Sequence, residues 1–368
     1  MPAVSTNGRD SALDAFRGLA VLGMVLVNLQ GSGPVAFAAF EHAAWNGVTP
    51  ADLVFPFFLL AAGLAVPLAL DRRAREGVFV AVLRRAILLF LIGVAINWLY
   101  RPSADPHALR VAGVLQRIAT VYLACAMLCL VTKSWRVPLI FAMWLLAVHG
   151  MLLFVPAPGE AGASFAQGQG MSAWLDRVAL PGRPFRPDYD PEGLLSTLSA
   201  IAGGMIGVAV QRAVRQAELE SGTRLWIIGT AAVICLVLAG VATFWWPFNK
   251  ALWTPSFALL TTGLGLALWG MLRAGWVKIE ALGWTAGMVH FAALLGQTAL
   301  TLYVVQALLA GLLIQRAGAG TLWGQLFGAL SQIGFSPAWT SLLFAALAGT
   351  VSIATTLWLR RRGWLLRL

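Results

Sequence analysis

Apolar runs of about twenty residues alternate along the chain with short polar stretches. Runs of that length, wound as helices, match the hydrocarbon thickness of a bilayer. Ten are present, near 14–32, 51–70, 79–99, 111–131, 136–155, 194–211, 225–244, 251–272, 290–315 and 338–359. None alternates with the period of two that every strand of a β-barrel requires. The pattern predicts an all-α integral membrane protein, a polytopic bundle of about ten transmembrane helices forming one domain over residues 1–368. No internal repeat relates the two halves, which counts against a transporter fold.

Composition agrees with this reading. Hydrophobic residues make up 59% of the 368 and charged residues 11%, against roughly 45–50% and about 25% in soluble domains. The 26 Lys and Arg outnumber the 15 Asp and Glu, for a net charge of +11. With the N-terminus placed in the cytoplasm, most basic residues fall on the cytoplasmic side. The outer side holds Arg101, Arg110, Arg117, Arg177, Arg183, Arg186, Lys250 and Arg316. The bias of Lys and Arg toward cytoplasmic loops explains the surplus and puts both termini inside, so no nucleic acid is required. The polar start and the lack of an Ala-x-Ala site mark the first run as a retained span. Cys125, Cys129 and Cys235 lie inside apolar runs and read as core residues, with no metal site or disulfide framework.

Two outer connections, 31–50 and 156–193, are longer than ordinary turns, and loops of that length are commonly functional. The first contains Glu41, His42, Trp45 and Asn46; the second ends in Asp188, Tyr189, Asp190, Pro191 and Glu192. A candidate site therefore opens outward. Within the spans, each polar residue needs a partner or a purpose. Asp14 and Arg17 share a helix face at the cytoplasmic end of the first span, and Asn28 lies near its outer end. Thr49-Pro50-Ala51-Asp52 has the form of a capping box with Asp in place of Glu. Asp52 has a second possible task, orienting the imidazole of His42. Arg117, beside Gln116, falls about two turns inside the fourth span, either paired with Asp52 or Asp190 or anchoring a substrate oxygen. Asn97, Tyr122, Gln297, Tyr303 and Gln306 read as interhelical hydrogen-bond formers. No phosphate-cradling glycine loop, His-Glu-x-x-His or Gly-x-Ser-x-Gly occurs. A base, an oxyanion donor, an orienting carboxylate and an anchor around an outward pocket suit acyl transfer.

At these residues the chain resembles the transmembrane heparan-α-glucosaminide N-acetyltransferase family, in a shorter, bacterial-type form. The resemblance is strongest over His42-Ala43-Ala44-Trp45-Asn46-Gly47-Val48-Thr49-Pro50-Ala51-Asp52-Leu53-Val54-Phe55-Pro56. Leu13-Asp14-Ala15-Phe16-Arg17-Gly18, Gly113-Val114-Leu115-Gln116-Arg117, Asp190-Pro191-Glu192-Gly193 and Asn249-Lys250-Ala251-Leu252-Trp253-Thr254 follow in family order. The resemblance implies transfer of an acetyl group from cytoplasmic acetyl-CoA to the amine of a glucosamine-type sugar on the outer, periplasmic side. It implies His42 as general base, Asn28 and Asp52 as its catalytic companions, and a location in the bacterial inner membrane. Arg117, Trp45, Asn46, Asp190 and Glu192 are expected to contact the sugar; Arg72, Arg73, Arg84 and Arg85 are candidates for the CoA phosphates. No metal is expected, and a homodimer is a possible assembly. Gly296-Gln297-Thr298 stands where Gly-x-Asn is expected, a departure from the family pattern. Two other functions fit the same chain: an envelope-glycan O-acyltransferase and a sugar transporter without catalysis.

Overall fold

The computed structural model describes residues 10–71, 77–103, 105–217, 221–281, 283–317 and 320–366. Thirteen α-helices account for nearly all regular structure among them: α1 (Ser11–Asn28), α2 (Pro50–Leu70), α3 (Val78–Tyr100), α4 (Val114–Val131), α5 (Arg136–Leu152), α6 (Gly170–Ala179), α7 (Leu194–Gln216), α8 (Ser221–Ala242), α9 (Pro255–Ala281), α10 (Gly283–Gln297), α11 (Ala299–Leu313), α12 (Leu322–Ser331) and α13 (Pro337–Arg361). The one sheet described is a two-stranded ribbon, Arg316–Ala317 with Gly320–Thr321. The chain is thus an all-α, multi-pass membrane protein.

Among the described residues, eight helices are long and apolar enough to cross a bilayer: α1–α4, α7, α8, α9 and α13. The 17-residue α5 is apolar but shorter. The ninth predicted span, 290–315, is not one helix. It is broken into α10 and α11, which meet at 78°. Thr298 occupies the break, and its hydroxyl takes up carbonyls freed there, donating to Leu295 O at 3.2 Å and Leu294 O at 3.3 Å. A broken membrane helix is tolerated where a side chain re-satisfies backbone groups in this way. The helices α6 and α12 belong to the connections, where no separate elements were predicted.

Close packing at the centre depends on glycine. In water the hydrophobic effect would press helices together, but in lipid they associate through small residues that let backbones approach. A Cβ on Gly63 of α2 would collide with the carbonyl of Gly204 on α7, and one on Gly296 of α10 with the carbonyl of Asp14 on α1. Around this centre α3, α8 and α13 turn apolar side chains outward, among them Leu91, Val237 and Val351. Cys125, Cys129 and Cys235 are buried free thiols.

The two ends of the bundle differ in chemistry. At one end Asp71 accepts from Lys133 at 2.9 Å, Arg212 at 3.0 Å and Arg215 at 3.3 Å, and Asp10 pairs with Arg273 at 2.5 Å. At the other, the connections α1–α2, α3–α4, α5–α7 and α8–α9 are tied to one another. Trp45 donates its indole N–H to Phe165 O at 2.7 Å, Gly47 N–H to Phe248 O at 2.8 Å, and Arg110 pairs with Asp190 at 2.6 Å. That end carries the candidate site.

Candidate active site

The site is assembled from loop residues held by helix ends. Asp52 performs both tasks that its position in the sequence allowed. Its Oδ2 accepts from Thr49 N at 3.0 Å, Thr49 Oγ1 at 3.1 Å and Ala43 N at 3.1 Å, closing the first turn of α2 and fastening the preceding loop. Its Oδ1 lies 2.8 Å from His42 Nδ1. The carboxylate is only 1% exposed whereas His42 is 47% exposed, so the imidazole is gripped from below and presented to the outside.

A third charged group, Lys250, completes this cluster. Its Nζ lies 3.0 Å from His42 Nδ1, 3.2 Å from Nε2 and 3.4 Å from Asp52 Oδ1. A tight turn holds it there. Asn249 Oδ1 accepts from Leu252 N at 2.8 Å, and Asn249 Nδ2 donates to Trp45 O and Asn46 Oδ1, both at 3.0 Å. Trp253, in the same turn, has φ of +50°, a left-handed conformation that a bulky residue adopts only under tertiary constraint. Burial lowers the Lys250 ammonium below the ordinary lysine range, with the nearby Asp52 and Glu192 acting in the opposite direction.

These residues border a cavity of about 620 Å³. Asn28, His42, Trp45, Asp52 and Glu192 line it, so five of the residues expected at the site border one cavity. Asn28 is the last residue of α1, and among the described residues its amide has no hydrogen-bond partner. Trp45 meets Tyr189 edge to face at 5.1 Å, making an aromatic mouth. Towards the membrane interior the lining becomes Met24, Val54, Phe55, Gly93, Ile96 and Leu115, with Asn97, Gln116, Tyr303 and Gln306 as polar interruptions.

The other expected residues lie elsewhere. Arg117 is in the first turn of α4, not two turns in, because the helix starts at Val114. It does not line the cavity and pairs with neither Asp52 nor Asp190. Its guanidinium donates to Ser196 Oγ and to Gly193 O at 3.2 Å, and lies 4.8 Å from the centre of the Trp253 ring. It thus ties α4 to the start of α7 and to the Lys250 turn. Asp190 is 2% exposed and does not begin a helix. It receives Arg110 Nε at 2.8 Å and Nη2 at 2.6 Å, with Phe185 N at 2.8 Å and Glu192 N at 2.9 Å. Asp176 serves α7 instead, accepting Leu194 N at 2.9 Å. Asn46 faces Asn249, outside the cavity lining. Arg72 and Arg73 lie outside the described residues. Arg84 is exposed on α3, and the Arg85 guanidinium rests 4.7 Å from the centre of the Tyr122 ring. From Arg85 to Asn97 is twelve residues of helix, about 18 Å at 1.5 Å per residue, so these arginines sit far from the His42 cluster.

Known proteins resemble this chain over a region that carries part of the site. A family model described as heparan-alpha-glucosaminide N-acetyltransferase, catalytic, matches residues 9–177, which include Asn28, His42 and Asp52. The chain is similar to the heparan-alpha-glucosaminide N-acetyltransferases. The mouse protein of that name is 26% identical over 69% of this chain and 47% of its own length. The human one is 27% identical over 67% of this chain and 45% of its own. The chain spans about half the length of these curated relatives. The family match ends before Lys250, Tyr303 and Gln306, which the fold brings to the same cavity. Sequence reasoning missed Lys250 and Arg110 as site residues, although a signal was present. Both belong to the basic minority expected on the outer side, where positive-inside bias gives no reason for them.

Proposed function

We propose that this chain is an N-acetyltransferase that moves the acetyl group of acetyl-CoA to the amine of a glucosamine-type sugar at the His42 cavity. The observation that carries the reading is the 2.8 Å contact between buried Asp52 and solvent-facing His42, within a cavity that Asn28 also lines. The uncharged amine attacks the thioester carbonyl, a C–N bond forms, and the C–S bond breaks as CoA thiolate departs. His42 takes the proton lost by the attacking nitrogen and returns it to the thiolate, while Asp52 stabilises the imidazolium formed in between. The Asn28 amide and the Lys250 ammonium, which line the same cavity, stabilise the negative charge that develops on the carbonyl oxygen. Direct transfer is the simpler route, since a deprotonated amine needs no acyl-His42 intermediate. The donor enters from the cytoplasmic side and the sugar from the outer side, in a bacterial inner membrane.

The test is acetyl transfer from labelled acetyl-CoA by purified protein to a panel of amino sugars and their hydroxyl counterparts. His42→Ala is expected to lower kcat by roughly 10²- to 10⁴-fold and Asn28→Ala by about 10²- to 10³-fold. Full activity in His42→Ala removes the proposal. Acetylation of a hydroxyl and not an amine converts it to O-acyl transfer. Sugar uptake that survives His42→Ala, with no acetylation by the wild type, makes the protein a carrier. Isolation of acetyl-enzyme with acetyl-CoA alone replaces direct transfer by a two-step route.

A further inference from the structure

Arg117 does not line the cavity, and its charge has no ordinary purpose where it lies. It is 2% exposed, and Glu192, Asp190, Asp176 and Arg110 act on it only from beyond ion-pair distance. A buried cation without a contacting carboxylate is costly, and an apolar residue of similar volume usually serves a fold as well. Nor does the start of α7 depend on it. Gly193 O, to which Arg117 donates, also accepts from Ser196 Oγ at 3.1 Å and from Thr197 Oγ1 at 2.7 Å. Nε and Nη1 of the guanidinium make no hydrogen bond among the described residues.

What a guanidinium supplies and a neutral side chain cannot is a charged plane for an aromatic face. Arg117 lies over the Trp253 ring, 4.8 Å from its centre. The same ring meets Phe55 of α2 at 5.5 Å and Phe257 of α9 at 5.4 Å, both edge to face. Three helices, α2, α4 and α9, thus converge on one buried indole. The backbone of Trp253 is left-handed, with φ of +50°, and its N–H donates to Lys250 O at 3.1 Å. A bulky residue leaves such a conformation unless its side chain is held. Holding the ring therefore holds the turn, and the turn brings the Lys250 ammonium to 3.0 Å from His42 Nδ1 and 3.4 Å from Asp52 Oδ1.

We propose that Arg117 is a positioning residue for acetyl transfer: by gripping Trp253 it fixes the turn that sets Lys250 against His42 and Asp52. This rests on the acyl-transfer reading and adds to it a residue that acts only through others. Charge adds to position. Burial first, and the Arg117 charge after it, lower the Lys250 ammonium, while Asp52 and Glu192 oppose them. His42 is the other titratable group in contact with that ammonium.

The experiment uses the full-length protein in nanodiscs, with kcat, both KM values, the pH profile and Tm as readouts. Arg117→Met keeps an unbranched apolar stem and removes the guanidinium. It is expected to lower kcat by roughly 10- to 100-fold with both KM values unchanged, and Tm should stay level or rise. In the Lys250→Met background the same substitution should cost nothing further, because the two residues act as one unit. The alkaline fall of activity, set by loss of the Lys250 proton, should move to higher pH in Arg117→Met. Trp253→Leu should show the same coupling to Lys250→Met, and Trp253→Phe, which keeps an aromatic face, should retain most of the activity. Where Arg117→Met does not fold, this Trp253 pair decides. Losses that add to that of Lys250→Met overturn the proposal, as do an alkaline limb left in place and a fall in Tm with kcat unchanged. Full activity in Lys250→Met also overturns it, by leaving nothing to position, and keeps the acyl-transfer reading intact. A wild type that transfers no acetyl group sinks the acyl-transfer reading itself.

Discussion

His42, Asp52 and Lys250 illustrate how much a single residue's neighbours decide. The Asp52 carboxylate divides its oxygens, one closing a helix turn and one facing the imidazole, so its structural and chemical roles are not alternatives. That double role was half legible: Thr49-Pro50-Ala51-Asp52 announces a helix start, and the short interval from His42 makes the contact plausible. Lys250 was not legible, because a lone lysine in a loop looks like a solvated charge and its partners are more than 190 residues away. Its proximity to His42 leads to a prediction. Lys250→Met should lower kcat/KM by roughly tenfold to hundredfold with Tm unchanged. The charged lysine is the useful form, so its contribution is present below its pKa and lost as pH rises through it. Burial has lowered that pKa, so the alkaline fall of wild-type activity should come at a lower pH than an ordinary lysine would set, and the Met variant should lack that limb. Identical alkaline limbs in the two pH profiles would remove Lys250 from the chemistry.

At the scale of elements, the polar pieces outside the membrane hold the site's shape. The junction of α6 and α7 depends on Asp176, 1% exposed, which accepts Leu194 N and crowds Gly193. Burial raises the Asp176 carboxyl to about 6. A carboxyl raised on folding binds its proton more tightly in the folded state, so folding gains as pH falls through 6 toward the ordinary value near 4 and loses the gain above 6. Asp176→Asn mimics the protonated form. The Tm advantage of the Asn variant over wild type should therefore be larger at pH 8 than at pH 5, as read by thermal melts at both pH values. An equal difference at the two would show that Asp176 does not titrate in this window. Sequence reasoning placed the helices well because apolar run length is a direct physical measure of a span. It failed at Thr298, where no proline interrupts the run; the bend is supported by tertiary packing of Gly296 against α1. The pairing of Asp190 with Arg110 was likewise hidden, since Arg110 lies 80 residues earlier and no local pattern links them.

Over the whole molecule, chemistry is separated by end. The Asp71 and Asp10 ion pairs occupy one end; His42, Lys250, Arg110 and the aromatic mouth occupy the other. The basic minority predicted for the outer side supplies much of the site, and the basic majority has the ordinary orienting role. Sidedness then becomes measurable. In sealed vesicles of defined orientation, amino sugar on the His42 side with acetyl-CoA on the Asp71 side should give acetylated sugar, and the reverse loading should not. Product from either loading would show that donor and acceptor share one entrance.

The contrast between the lipid-facing helices α3, α8 and α13 and the enclosed α1, α7 and α9 also bears on how the protein is made. The outer helices are as a group the more apolar, while α1, α7 and α9 are less apolar and more covered by neighbours. A translocating ribosome therefore delivers segments of two kinds. One kind settles in lipid on its own; the other needs protein alongside, and α1 finds its main partner, α10, only after most of the chain has been synthesised. The helix that carries Asn28 must wait for its glycine-matched partner, so the active site is among the last parts of the protein to be completed during biogenesis.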